Sequence, residues 1–160
     1  MNKTSKIFVA GASGLVGSGI VRKLLDKGYK NILGSYFSRN PESLYSGYEE
    51  HIEKGYIRFL QLDLTNQAEV KNFFEKEKSE YVFLAAAKVG GIWANNIYRA
   101  DFIYQNLQIQ NNIIHQSYLH GVNKLLYLGS TCIYPRDCPQ PMKEEKMKKG
   151  DMRIMHNLGL

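Results

Sequence analysis

The sequence predicts a doubly wound α/β fold, a parallel sheet carrying helices on both faces. Three observations lead there. Short apolar runs alternate with segments of helical periodicity, in the order expected of βαβ units. The first run, Lys6-Ile7-Phe8-Val9-Ala10, passes straight into a glycine-rich turn, Gly11-Ala12-Ser13-Gly14-Leu15-Val16-Gly17, and then into an amphipathic pattern. A later run, Tyr81 to Ala86, is apolar throughout, as a central parallel strand buried on both faces should be.

The first strand spans Lys6 to Ala10, and its helix runs from Gly14 to Lys27 with Leu15, Val16, Ile20, Leu24 and Leu25 on one face. Gly28 is the stop. A second strand, Asn31 to Tyr36, leads into a long polar and aromatic loop, Phe37 to Gly55. The third strand is Ile57 to Leu62, after which Asp63 and Thr65-Asn66 introduce a helix over Gln67 to Lys78. The fourth strand, Tyr81 to Ala86, is followed by a loop from Lys88 to Asn96. A long helix, Tyr98 to His120, carries Phe102, Ile103, Leu107, Ile113, Ile114 and Tyr118 near helical spacing, and Gly121 ends it. The fifth strand is Lys124 to Gly129. Right-handed crossovers put these strands in the order 3-2-1-4-5, a Rossmann-type sheet truncated after about five strands. Residues 1–142 are read as an incomplete dinucleotide-binding domain and 143–160 as a divergent basic tail, with the substrate domain absent. Such a cut leaves Leu125 to Leu128 as an apolar edge that invites pairing, so homo-oligomerisation and marginal stability are expected.

Composition narrows the function classes. With 160 residues and 44% hydrophobic side chains, one domain can bury a substantial core. No apolar run reaches the roughly 18 residues a membrane helix needs. The stretch from Met1 to Lys6 lacks the apolar core of a signal peptide, so the expected location is cytoplasmic. Cys132 and Cys138 are separated by five residues, which suits neither a CxxC redox pair nor zinc, and no metal site is expected. The formal charge of +6 comes from lysines scattered among acids, as between Lys71 and Glu80, rather than from an arginine stripe. A solvated surface accounts for it, and nucleic acid is not an expected partner.

The glycine turn carries the chemistry. Gly11 permits the sharp passage from strand to helix, Gly14 lets a pyrophosphate approach the backbone, and Gly17 lets the helix pack closely on the strand. Backbone amides around Ser13, Leu15 and Val16, aligned with the helix dipole, would hold the anion. An NAD site wants an acid at the end of the second strand, but Gly34 to Asn40 supplies none and offers Arg39 instead. A guanidinium suits a 2′-phosphate, which favours NADP(H); the alternative is an ordinary surface arginine. Asp63-Leu64 follows the third strand, where Asp63 can hydrogen-bond the adenine edge while Leu64 contacts its face; the alternative is that Asp63 or one of its neighbours caps the next helix. Ala85 and Ala86 end the fourth strand, and Ala87 and Lys88 follow it, beside the switch in strand order, where ligands of such sheets bind.

Longer stretches sharpen the assignment. The glycine turn, Asp63-Leu64, Leu84 to Asn96, Ala100 to Asn106, Val122 to Leu126, Gly129 to Pro135 and Gln140-Pro141-Met142 resemble the extended short-chain dehydrogenase/reductase family. Within it the likeness is to the epimerase-reductases of GDP-linked 4-keto-6-deoxy sugars, over about residues 6 to 150. It is weakest in the expanded loop Phe37 to Gly55. The resemblance implies epimerisation at C3 and C5, then reduction of C4 with NADPH. It makes Cys132 the acid/base thiol and Ser130 the hydroxyl that binds the keto oxygen. It also implies a structural role for Asn106 and turns the loop holding Lys88 and Asn95 toward the nicotinamide and sugar. Each has a plainer alternative: Cys132 as a small buried hydrophobe, and Ser130 with Thr131 as turn caps. His51, His115, His120 and His156 match no catalytic position. The family's Tyr-x-x-x-Lys pair is missing, because none of the eleven tyrosines has lysine four residues on. The family pattern is lost after Gly150, so a truncated or frameshifted chain, inactive alone, is the expectation.

Overall fold

The computed structural model describes residues 1–129, 134–135 and 137–145. The described residues form two compact units, Met1–Ala87 with Gln108–Leu128, and Lys88–Leu107 with those described from Gly129 on.

The first unit is built on five parallel strands: β1 (Ile7–Ala10), β2 (Ile32–Tyr36), β3 (Ile57–Gln61), β4 (Tyr81–Leu84) and β5 (Lys124–Tyr127). Their order is β3-β2-β1-β4-β5, as the crossover rule requires. β1 lies at the centre, with Ile7 level with Ile32 on one side and Tyr81 on the other. All four of its residues are fully buried, and alternation sends them to opposite faces. Phe8 and Ala10 join one core with Leu33, Val82, Leu84, Phe73, Phe74 and Ile113. Ile7 and Val9 join the other with Ile32, Ile57, Val21, Leu24, Leu25 and Tyr45.

Helix α1 (Leu15–Asp26) packs on the second core through Gly17, Ser18, Val21, Leu24 and Leu25. That stripe is rotated from the expected one. Leu15 is 90% exposed and Val16 54%, so neither belongs to the packed face. The expected long loop after β2 is instead folded, with a 3₁₀ turn over Glu42–Tyr45 and a short helix, α2 (Glu49–Glu53). Helix α3 (Gln67–Glu77) buries Val70, Phe73 and Phe74.

The helix named here α4 (Ile92–Ile97) replaces most of the expected loop before the long helix, α5 (Arg99–Leu119). Along α5 the buried positions are Phe102, Asn106, Ile109, Asn112, Ile113, Gln116 and Ser117. The apolar residues Ile103, Leu107, Ile114 and Tyr118 are exposed, so this helix mixes polar side chains into its buried stripe. β5 pairs only with β4 among the described residues, and Leu126, Tyr127 and Leu128 stand exposed along it.

Candidate functional site

The carboxyl end of β1 and the start of α1 form a closely fitted turn. Gly11 adopts φ +87°, a left-handed conformation natural to glycine, and a Cβ there would lie 2.9 Å from the Cα of Ala86. The turn and the end of β4 are thus in backbone contact. Gly17 sits against the turn from the helix side, where a Cβ would fall 2.1 Å from the Gly11 carbonyl oxygen. Both expectations for these glycines, sharp turn and close packing, correspond to contacts in the fold.

Gly14 is different. It is exposed, has extended backbone (φ −83°, ψ 164°), and a Cβ would meet only the Gly11 carbonyl oxygen, at 3.3 Å. Packing places little demand for glycine here. Gly14 caps α1 without a side-chain bond, and the first turn holds no acid. Gly14 donates its amide to Gly11 O (3.0 Å), and Ser18 donates to Gly14 O (2.9 Å). The amides of Ser13, Leu15 and Val16 meet no acceptor from loops or side chains among the described residues. An anion would find unclaimed donors and the positive end of a twelve-residue helix.

Three hydrogen bonds fix the base of the turn. Gly11 donates to Ser35 Oγ (3.2 Å), Ala12 donates to the Ser35 carbonyl (2.8 Å), and the Tyr45 hydroxyl donates to the Ala12 carbonyl (2.9 Å). Burial pushes the Tyr45 hydroxyl far above the usual phenol range, against the smaller pull of Arg22, so it remains a donor.

Beyond β2, Arg39 is exposed and makes no ion pair among the described residues. The chain before it is tied to β3, where Gln61 Nε2 donates to Phe37 O (2.9 Å). After β3, the cap of α3 falls to Asn66, whose side chain accepts from the amides of Ala68 and Glu69. Asp63 is not that cap; its carboxylate accepts from the Thr65 amide (2.9 Å) and hydroxyl (2.7 Å). Leu64 turns inward to the core. Asn112 Nδ2 donates to the carbonyls of Leu64 (2.9 Å) and Thr65 (3.1 Å), clamping this loop. At the end of β4, Ala85 donates to Ala10 O (3.0 Å), Ala86 faces Gly11, and Ala87 closes the segment exposed.

In the second unit, Lys88 and Asn106 exchange two bonds: the Lys88 amide donates to Asn106 Oδ1 (2.8 Å), and Asn106 Nδ2 donates to Lys88 O (3.0 Å). Asn106 is buried, which agrees with a structural role. Asn95 Nδ2 donates to Gly90 O (3.1 Å). Ser130 and Cys132 lie outside the described residues. The sequence singled out the glycine turn but not Ser35, Tyr45 or Asn112, the side chains that hold the turn and the loop after β3. Only Asn112 left a trace, a polar residue in register with the buried Ile109 and Ile113.

The profile of the NAD dependent epimerase/dehydratase family matches residues 7–156. The chain belongs to this family. Among curated relatives, GDP-L-fucose synthase 1 of Arabidopsis thaliana is 53% identical, over 91% of this chain and 38% of the relative. Putative GDP-L-fucose synthase 2 of the same plant is 51% identical, over 95% of this chain and 40% of the relative. The solved structure of MlghC, the GDP-mannoheptose C4 reductase from Campylobacter jejuni with NADP bound, is 37% identical with a TM-score of 0.77; the match covers 99% of this chain and 44% of that one. The chain therefore spans 38–40% of the length of the two plant proteins. No helix among the described residues is long and apolar enough to cross a membrane.

Proposed function

We propose that these 160 residues are the NADP(H)-binding part of an epimerase-reductase of the GDP-L-fucose synthase type. The whole protein would epimerise a GDP-linked 4-keto-6-deoxy sugar at C3 and C5 and reduce its C4 carbonyl. The observation that carries the reading is Gly14. Neither its backbone conformation nor its packing calls strongly for glycine, yet it stands beside helix-terminal amides that meet no loop or side-chain acceptor among the described residues. A bare backbone there is what close approach of a pyrophosphate requires.

The residues fit the group. Ser13, Leu15 and Val16 offer amides to the pyrophosphate, with no nearby first-turn carboxylate to repel it. Arg39 is free of an ion pair among the described residues and has the charge and planarity for a 2′-phosphate. Asp63 flanks the adenine position, held by Thr65 and by Leu64 packing inward. Ala85, Ala86 and Ala87 offer a small-residue floor, and Lys88 lies in the segment assigned to the nicotinamide side. When bound, NADPH supplies the hydride for C4. Ser130 and Cys132 keep their proposed roles, at the keto oxygen and in proton transfer, on the sequence resemblance alone.

The test is a fluorescence titration of the chain with NADPH, beside Gly14→Ala. The wild type should bind, and the variant should melt within a few degrees of it while losing about tenfold or more in affinity. Equal affinity in the two proteins, or no binding by folded wild type, refutes the reading. The identity to MlghC favours a second reading, a related GDP-sugar C4 reductase. Deuterium entering C3 and C5 of the product from heavy water would mark the epimerase.

A further inference from the structure

The segment between β2 and β3 is an aromatic insert that docks on α1 and on the glycine turn. Arg22 of α1 donates to the Leu44 carbonyl (3.2 Å), and the Tyr48 hydroxyl donates to Asp26 (2.7 Å) at the far end of that helix. Between these contacts Tyr45 is fully buried, its ring 4.8 Å from that of Phe59 and its hydroxyl on the Ala12 carbonyl.

That carbonyl belongs to the peptide group linking Ala12 to Ser13. The group is planar and trans, so its C=O and N–H point in opposite directions. A buried donor that holds the oxygen inward directs the Ser13 amide the other way, and Ser13 meets no acceptor among the described residues. The bond also polarises the group, making its N–H a stronger donor. We infer that Tyr45, 33 residues from the turn, is a positioning residue that aims and strengthens the Ser13 amide as a phosphate donor. The insert thereby sets part of the coenzyme affinity. This rests on the reading of the turn as an NADP(H) cradle, and extends it to a buried side chain of the insert that acts through the Ala12 peptide group.

The experiment compares wild type, Tyr45→Phe and Tyr48→Phe in the full chain, by NADPH titration and thermal melting. Tyr45→Phe keeps the ring and removes the hydroxyl; its Kd for NADPH should rise about 3- to 10-fold, the range one neutral hydrogen bond carries. Tyr48→Phe removes a hydroxyl from the same insert at the opposite end of α1, and should leave Kd unchanged. A purely structural role would lower the melting temperature of Tyr45→Phe and leave its Kd at the wild-type value, which overturns the inference while the coenzyme reading stands. Equal losses in both variants overturn it as well. No binding by wild type defeats both readings. Should Tyr45→Phe not fold, the wild type decides by NMR: saturating NADPH should shift the Tyr45 hydroxyl proton, and an unmoved resonance refutes the coupling.

Discussion

Two glycines in α1, two residues apart, should respond to alanine with opposite signs. At Gly17 a Cβ would lie 2.1 Å from the Gly11 carbonyl oxygen and 2.8 Å from its carbon, where ordinary contact begins at 3.4 Å. The helix would have to retreat by the difference, 3.4 − 2.1 = 1.3 Å, from a turn pinned by Ser35 and Tyr45. Overpacking of this kind costs about 3 kcal/mol, and alanine's better helix propensity offsets about 1 kcal/mol. Gly17→Ala should therefore lose about 2 kcal/mol and melt about 4–8 °C lower. At Gly19 the added Cβ meets nothing within 4 Å, so only the propensity gain remains. Gly19→Ala should gain about 0.5–1 kcal/mol. Urea denaturation followed by circular dichroism reads both. Gly17→Ala as stable as wild type, or both variants shifting the same way, would refute the claim that contact with the Gly11 carbonyl fixes this helix.

Arg39→Ala should weaken NADPH binding about tenfold while leaving NADH unchanged, and equal losses for the two coenzymes would remove the 2′-phosphate from its role. Glu77 should supply part of the acid sensitivity of the fold. Burial pushes its carboxyl up, but the Lys6 ammonium (3.2 Å) and the Arg58 guanidinium (3.1 Å) prevail and hold it below the usual range. A carboxylate depressed on folding stabilises above its unfolded value, and that contribution fades as pH falls through the folded one. Urea stability should thus drop as the pH falls below the ordinary range of a glutamate, and Glu77→Gln should flatten that limb. An unchanged slope in the variant would show that other groups carry it.

The sheet was legible because its strands are short apolar runs between clear breakers; β1 is buried on both faces, and β4 is buried on one and half-buried on the other. The carboxyl ends of β3, β4 and β5 read one or two residues too long, since the chain continues in strand-like sequence past the last paired residues, as from Leu84 into Ala85-Ala86. Helix faces were harder. Leu15 and Val16 are apolar yet lie outside the packed stripe, while Asn106, Asn112 and Gln116 are polar yet inside it. The glycine turn could be found because its function depends on spacing within seven residues. The side chains that hold it and the loop after β3 could not: Tyr45 reaches back 33 residues to the turn and Asn112 reaches 48 to Leu64, from segments whose polar composition reads as loop or surface. The 3₁₀ turn and the two short helices escape for a similar reason, since four to six residues rich in Glu, Asn and Tyr carry too little periodicity to announce themselves.

The stretch joining Tyr36 to Ile57 is consequently a poor candidate for shortening. A graft that replaced it with a shorter crossover lacking Tyr45 would strip Phe59 of its stacking partner and leave the Ala12 oxygen buried without a donor. Chimaeras and loop-swap libraries built on this scaffold will have to bring one aromatic ring and one hydroxyl along with any new connection.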